Sequence, residues 1–208
     1  MVDLNFENPE AVSLNKENFL NASVSVAVCG LGGLGSNVAV MLARAGVGKL
    51  HLMDFDKVEM SNLNRQYFAM EHVGMLKADA LKEIIAGIAP NCHVTAQSIK
   101  ITEENIKELL KNDYIICEAF DEANQKAMLV NSVLTDFPDK YLVSASGMAG
   151  TGSSNDIKTR RVADRFFLCG DEVSDMDDNP LMISSRVMLC AAHEANMIIR
   201  ILAGKAEV

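Results

Sequence analysis

Hydrophobic positions along the chain fall into short, β-rich runs that alternate with longer segments of helical periodicity. The apolar runs predict five strands, at residues 24–29, 49–54, 93–99, 114–118 and 141–145. Helices are predicted between them, at about residues 34–45, 75–89, 103–111 and 122–136. This alternation is typical of the α/β class, in which a mostly parallel sheet carries helices on both faces.

The part of the chain after the fifth predicted strand has a different pattern. A glycine- and serine-rich segment at residues 147–155 is expected to be a loop. It is followed by a predicted strand pair, 157–162 and 165–168, and by a final helix from 184 to about 203. The first dozen residues are expected to form a short arm, and residues 1–208 to form a single domain.

Composition and charge narrow the function classes. The formal net charge of −9 disfavours nucleic acid as a partner, because phosphate binding generally needs a basic face. No apolar run is long enough to span a membrane, and the acidic start lacks the order of a secretory signal. The 5 cysteines include no Cys-x-x-Cys pair, so we expect no zinc and a reduced, cytoplasmic location.

A glycine-rich turn follows the first predicted strand and opens the first predicted helix. Its glycines are Gly30, Gly32, Gly33 and Gly35. Glycine lets such a turn be tight, lets backbone approach phosphate oxygens, and leaves N–H groups at the helix start to receive negative charge. Asp54 ends the second predicted strand, where such folds place the acid that binds ribose hydroxyls. We therefore predict a nucleotide site here, the alternative being that the glycines serve packing alone.

The segments that follow narrow the choice of nucleotide. Asp54 and Asp56 form an Asp-x-Asp, residues 62–66 read Asn-Leu-Asn-Arg-Gln, residues 74–77 read Gly-Met-Leu-Lys, and residues 118–121 read Glu-Ala-Phe-Asp. With the extra glycine of the turn, residues 24–146 resemble the ThiF/MoeB/ubiquitin-activating enzyme superfamily. That resemblance implies a Rossmann-like fold, a homodimer and an enzyme that uses ATP and Mg²⁺.

The resemblance also implies a reaction and roles for particular residues. The closest pattern is that of short, zinc-less ThiF-type enzymes, which adenylate the C-terminal carboxylate of the ubiquitin-like sulfur carrier ThiS in thiamine biosynthesis. It assigns Arg65 and Lys77 to the phosphates, Asp121 to the Mg²⁺ and Asp54 to the ribose. The glycines, Asn62 and Gln66 complete the expected nucleotide contacts. A C-terminal carboxylate is already ionised at neutral pH, so the reaction needs alignment and charge neutralisation rather than a general base.

Each of these roles has an ordinary structural alternative. The structural alternative for Arg65 is a surface ion pair with Asp56 or Glu59. Lys77 would suit the solvated face of a helix, and Asp121 would suit a helix N-cap. The sequence alone leaves these alternatives open.

The chain departs from the superfamily pattern at its start. An N-terminal arginine that reaches the neighbouring subunit's ATP has no counterpart before Arg44, although Lys16 is a candidate substitute. Cys169 is the best-placed candidate for a covalent bond to the carrier, but neighbouring acidic residues would raise a thiol pKa. Residues 147–155 are a candidate mobile crossover loop for the carrier's Gly-Gly tail, or a plain surface loop.

Rival functions also remain open at this point. The same chemistry would suit another carrier, a peptide or a modified tRNA base. The glycine turn is also compatible with two other functions. One is an NAD-dependent oxidoreductase, and the other is an inactive ATP-binding interaction protein.

Overall fold

The strands form one seven-stranded sheet in the order β3-β2-β1-β4-β5-β7-β6. The computed structural model describes residues 24–174 and 181–208. The strands are β1 (Ser25–Cys29), β2 (Lys49–Met53), β3 (His93–Gln97), β4 (Ile115–Glu118), β5 (Tyr141–Ala145), β6 (Lys158–Ala163) and β7 (Phe166–Gly170). Every pairing is parallel except that of β6 with β7. The predicted five parallel strands and the C-terminal strand pair are both confirmed.

Helices cover both faces of the sheet, as expected of a Rossmann-like fold. They are α1 (Gly33–Arg44), α2 (Lys77–Ile88), α3 (Ile106–Leu110), α4 (Ala123–Asp136) and α5 (Ser184–Leu202). Along β1, Val26 and Val28 join one buried cluster with α1, α2 and α5, while Ala27 and Cys29 join the cluster under α3 and α4. The strand is therefore apolar on both faces, as a strand covered by two helical layers must be.

Element boundaries differ most from the prediction near the third helix. α3 begins at Ile106 rather than 103, because residues 102–105 form a turn closed by the Asn105 side chain, whose Oδ1 accepts the Thr102 N–H at 2.8 Å. β3 ends at Gln97 rather than 99. The predicted N-terminal arm lies outside the described residues. None of the described helices combines the length and apolar character that crossing a membrane requires.

Strand register brings three connections to the same edge of the sheet. Cys29, the last residue of β1, is paired with Met53 on one side and with Glu118 on the other. The connections after β1, β2 and β4 therefore leave the sheet side by side. This edge carries the glycine turn between Asp54 and residues 119–121.

A buried polar cluster lies toward the opposite end of the strands. His51 Nδ1 is 2.8 Å from Asp113 Oδ2, and its Nε2 is 3.1 Å from Gln97 Oε1. Ser25 Oγ donates to the other oxygen of Asp113 at 2.5 Å. Burial by itself lowers the pKa of His51, but the hydrogen bonds and charge of Asp113, with Gln97, raise it above 6.5 overall.

The raised pKa of His51 predicts a pH-dependent stability. Protonated His51 is favoured in the folded protein, so its contribution to the free energy of unfolding is full below pH 6.5 and is lost as the pH rises through the folded-state pKa. Urea unfolding between pH 5.5 and 8.5 (about the range that brackets this titration) should show this loss in the wild type and not in His51→Gln. His93→Gln, at an exposed histidine of β3, is the matched control. An unchanged pH profile in His51→Gln would contradict the prediction.

Candidate functional site

The glycine turn is tight because its backbone touches two neighbouring segments. Gly30 has φ +89°, and a Cβ there would lie 2.9 Å from the carbonyl oxygen of Ala119. A Cβ at Gly35 would overlap the carbonyl oxygen of Gly30. Gly32 is the N-cap of α1 and supplies no side-chain cap, so the N–H groups of the first helical turn have no side-chain acceptor from it. Such N–H groups favour an anionic ligand.

Arg65 and Gln66 lie beside this turn. A Cβ at Gly33 would be 3.5 Å from Arg65 Cγ, and one at Gly32 would be 3.8 Å from Gln66 Nε2. Gln66 is buried, and its Oε1 has no hydrogen-bond partner among residues 24–174 and 181–208. An acceptor without a partner beside the turn fits a donor group of a bound ligand, such as a ribose hydroxyl, and not a phosphate oxygen, which only accepts.

Two side chains of α1 that sequence reasoning missed hold the segment carrying Arg65. Asn37 Nδ2 donates to the carbonyl oxygens of Gly33, at 2.7 Å, and Arg65, at 3.0 Å. Ser36 Oγ donates to Gly32 O at 2.6 Å and accepts the Tyr67 N–H at 3.0 Å. Both residues sit in a helical run whose periodicity marks them only as helix positions. Their role in holding this segment depends on contacts with distant residues. Asn37 contacts a residue 28 positions away, and Ser36 contacts one 31 positions away.

The guanidinium of Arg65 does not pair with Asp56 or Glu59, so the surface ion pair considered as an alternative role for Arg65 is not formed. Its Nη1 donates to Ser61 O at 3.1 Å and to Asn64 Oδ1 at 2.9 Å. These are neutral acceptors, so the positive charge remains available to an anion at the turn. Asn62, the other predicted contact of this segment, uses its Oδ1 to accept the Glu59 N–H at 3.0 Å.

Asp54, Asp56 and Lys77 form a charged group on the flank formed by the end of β2. Asp54 accepts the Leu31 N–H at 2.6 Å and the Asp56 N–H at 2.8 Å, which ties the turn to β2. Lys77 Nζ lies 2.9 Å from Asp56 Oδ2 and 4.0 Å from Asp54 Oδ2. Burial raises the pKa of Asp54, and the charge of Lys77 with the two N–H groups opposes that rise. Lys77 is only 6% exposed, so it does not lie on a solvated helix face.

Asp121 follows β4 on the opposite flank of the turn. The Ala119 N–H donates to Cys29 O at 2.9 Å, which keeps this connection against the end of β1. The N-cap of α4 is Glu122, not Asp121, and no side chain caps the helix there. The capping alternative is therefore wrong, and the Asp121 side chain is exposed at the same edge as the turn.

This edge fits a nucleotide with its magnesium ion. Within residues 24–174 and 181–208, no group of three or more His, Cys, Asp or Glu side chains is arranged to hold a metal. Mg²⁺, however, commonly takes one or two protein carboxylates and completes its shell with phosphates and water. Asp121 is suited to that limited role. Arg65 supplies a cation beside Gly33, and Lys77 supplies one 4.0 Å from the carboxylate that accepts the Leu31 N–H.

Cys169 is poorly suited to act as a nucleophile. It is fully buried, and burial together with the charge of Glu194 raises the pKa of its thiol to about 12, although Thr159 opposes the shift. Asp171 and Glu172, the acidic residues that follow Cys169 in the sequence, are not the cause of this rise in its pKa. The thiolate needed for attack is scarce at such a pKa.

The segment 147–155 is attached to the start of α5. Arg186 donates to Ser153 O at 2.9 Å and pairs with Asp171 Oδ2 at 2.5 Å. The Gly150 N–H donates to Leu181 O at 2.7 Å. The expectation that this segment moves to admit a substrate tail stays a prediction, and any such motion would have to release these contacts.

Taken together, the sheet and its glycine turn define a Rossmann-like α/β protein with a turn of the phosphate-binding type. The chain belongs to the ThiF family, whose model matches residues 9–208.

Sequence relatives within this family differ in their named substrates. The chain is 41% identical over 129 residues to the tRNA threonylcarbamoyladenosine dehydratase of Bacillus subtilis, covering 60% of this chain and 49% of the relative. It is 36% identical over 123 residues to the ubiquitin-like modifier-activating enzyme 5 of Drosophila ananassae, covering 59% and 30%. The chain thus spans less than half the length of these curated relatives.

Solved structures share the fold. The Escherichia coli tRNA N6-threonylcarbamoyladenosine dehydratase in complex with ATP superposes with a TM-score of 0.80 at 22% identity, covering 89% of this chain and 88% of that one. E. coli MccB, solved with AMPCPP and MccA, superposes with a TM-score of 0.68 at 21% identity, covering 89% and 58%.

The close backbone approach at the turn predicts the cost of adding one methyl group. Gly35→Ala should lower the free energy of unfolding by about 1–3 kcal/mol, because its Cβ overlaps backbone that has no room to move. Urea unfolding measures this. Gly87→Ala is the matched control: nothing lies within 4 Å of a Cβ there, in the interior of α2, so it should raise stability by about 0.5–1 kcal/mol. A stable Gly35→Ala would contradict the turn geometry.

The burial of Cys169 predicts low reactivity. At pH 8 (roughly half a unit below an ordinary thiol pKa), iodoacetamide should modify Cys169 on the order of a thousandfold more slowly in the native protein than in the urea-unfolded chain. Peptide mapping by mass spectrometry measures both rates. Equal rates in the two states would show that the thiol is accessible and ionised, contrary to the structure.

Proposed function

We propose that this protein is an ATP-dependent adenylyltransferase that activates a carboxylate as an acyl adenylate and releases pyrophosphate. The observation that carries the proposal is the convergence of Arg65, Lys77 and Asp121 on one glycine turn. Arg65 lies beside Gly33, Lys77 lies 4.0 Å from the carboxylate that binds the Leu31 N–H, and Asp121 follows the strand paired with β1. The pyrophosphate of NAD carries less negative charge than the triphosphate of ATP, so two cations beside the turn favour ATP over an NAD-binding oxidoreductase.

Each of the charged residues at the turn has a separate role in adenylyl transfer. Arg65 binds phosphate oxygens through parallel N–H groups, and Lys77 exchanges Asp56 for phosphate. Asp54 keeps a free lone pair on each oxygen for ribose hydroxyls while it holds the turn. Bound MgATP supplies the adenylyl group. A carboxylate oxygen of the substrate attacks the α-phosphorus, the bond to the β-phosphate oxygen breaks, and no proton needs to move.

As substrate we propose the C-terminal carboxylate of a small ubiquitin-like sulfur carrier with a Gly-Gly tail, of the ThiS type that serves thiamine biosynthesis. The names of two relatives support a protein or peptide substrate: a ubiquitin-like modifier-activating enzyme, and MccB solved with MccA. The chain's net charge of −9 also favours a protein over RNA. We further propose a cytoplasmic homodimer.

A second candidate is a carboxylate attached to a tRNA base. It is favoured by the 41% identity to the B. subtilis dehydratase. The cations of β6 argue against it, because two of them are neutralised by ion pairs: Arg160 with Glu172 at 2.5 Å and Arg161 with Asp164 at 2.9 Å. RNA binding depends on cations that are free to contact phosphate.

The proposal predicts ATP–pyrophosphate exchange that depends on a carboxylate substrate. Exchange should appear with a Gly-Gly carrier and be absent without it. Arg65→Ala should lower kcat/KM for ATP by about a hundredfold or more, the typical cost of losing a donor to developing charge. Arg44→Ala, at the far end of α1, is the matched control and should leave exchange unchanged.

Three outcomes would revise the proposal. Exchange with tRNA and not with carriers would favour the second candidate. Binding of NADH without any exchange would overturn adenylation. Full activity in both Arg65→Ala and Asp121→Ala would remove the turn from the reaction.

A further inference from the structure

A buried charged network at the end of β4 takes no part in the reaction described above. Glu118, the last residue of this strand, is fully buried. Its Oε1 accepts the Phe120 N–H at 2.7 Å, and its Oε2 accepts Ser144 Oγ at 2.5 Å. A buried carboxylate with both oxygens bonded is fixed in position, which makes it a firm anchor for its neighbours.

Lys126, in the first turns of α4, completes this network. Its Nζ lies 2.8 Å from Glu118 Oε2 and donates to Phe120 O at 3.0 Å. The peptide groups of Phe120 are thus held on both sides, the N–H by Glu118 and the carbonyl by Lys126. Asp121 is the next residue, so the peptide group that precedes it is held in place.

Lys126 forms its ion pair with Glu118 and not with Glu194, a second buried acid nearby. Glu194 of α5 is the other buried acid nearby, with Oε1 3.8 Å from Cys117 Sγ. Burial raises the pKa of Glu194 well above its usual value; the charge of Glu118 raises it further, and Lys126 opposes the rise. Among the ion pairs of residues 24–174 and 181–208, Lys126 pairs with Glu118 at 2.8 Å and not with Glu194.

The segment that this pair holds is in contact with the glycine turn. A Cβ at Gly30 would lie 2.9 Å from Ala119 O and 3.0 Å from the Phe120 ring. A shift of residues 119–121 would therefore change the place of Asp121 relative to the turn. Buried ion pairs contribute little net stability compared with apolar packing, so fixing a geometry is the better account of this one.

We propose that Glu118 and Lys126 position Asp121 for its contact with MgATP. Lys126 acts as a positioning residue: it touches no nucleotide atom and works through the backbone of Phe120. This inference rests on the proposed function in one respect, the binding of MgATP at the turn, and does not depend on which carboxylate is activated.

The test is a double-mutant cycle on nucleotide binding. Isothermal titration measures the Kd of ATP with Mg²⁺ and with EDTA in the wild type, Lys126→Met, Asp121→Asn and the double variant. Lys126→Met should reduce the Mg²⁺-dependent gain in affinity by about tenfold or more, the usual effect of losing the support of a metal ligand, and should leave the Kd in EDTA unchanged. The double variant should be no weaker than Asp121→Asn alone. Lys126→Arg should retain most of the gain.

Matched controls separate positioning from general destabilisation. Lys107→Met, on α3, removes an ion pair with Asp136 at the end of α4, at 2.9 Å, and should not alter the Mg²⁺-dependent gain. If Lys126→Met does not fold, Glu118→Gln combined with Lys126→Met removes both charges and avoids a stranded buried carboxylate. That variant should show the same loss of the Mg²⁺-dependent gain.

Several results would overturn the inference. Additive effects in the cycle, or an equal loss of affinity with Mg²⁺ and with EDTA, would show that Lys126 has only a structural role. A wild type that binds ATP equally well in both conditions would remove the metal role of Asp121 and the inference with it. Coupled, Mg²⁺-dependent binding without exchange on any carboxylate would instead overturn the proposed function and support the positioning role.

Discussion

The turn between β1 and α1 has no room for side chains, and the rest of the candidate site depends on this constraint. Its glycines let the backbone pass against the Ala119 carbonyl and against itself, and the helix begins without a side-chain cap on its first N–H groups. A turn without side chains has no side-chain contacts of its own to hold it in place. The surrounding segments do so, and each of them also carries one of the charged groups assigned to the ligand.

Each supporting segment combines an anchoring contact with a neighbouring functional group. After β2, Asp54 binds the turn through Leu31 and stands beside Lys77. On α1, Asn37 holds the backbone carbonyl of Arg65 beside the turn. After β4, Glu118 holds the peptide before Asp121. The parallel register of β2, β1 and β4 brings these segments together, and it explains why residues from about 30 to 126 in the chain meet at one edge.

The fold could be predicted from the sequence because its elements have local signals, whereas the roles of Arg65, Lys77 and Asp121 were expected from the resemblance to a superfamily. Strand and helix periods are visible within a few residues, and the glycine turn with Asp54 has a recognisable spacing. The anchors Asn37, Glu118 and Lys126 have no such signal, since each looks like an ordinary helix or strand position and acts on a segment brought near by folding. For the same reason the sequence could not decide whether Arg65 pairs with Asp56; tertiary contacts give that partner to Lys77.

The pairing of Lys77 with Asp56 has a consequence for how a polyanion enters and leaves. Lys77 is buried, whereas the side chain of Asp56 is 50% exposed. In the proposed reaction, an arriving phosphate would replace Asp56, whose carboxylate would return to water at little cost, and Asp56 would return to Lys77 when the phosphate leaves. In that exchange the Lys77 ammonium would pass from one counterion to another, with Asp54 still 4.0 Å away, so no buried cation would be left without an anion beside it.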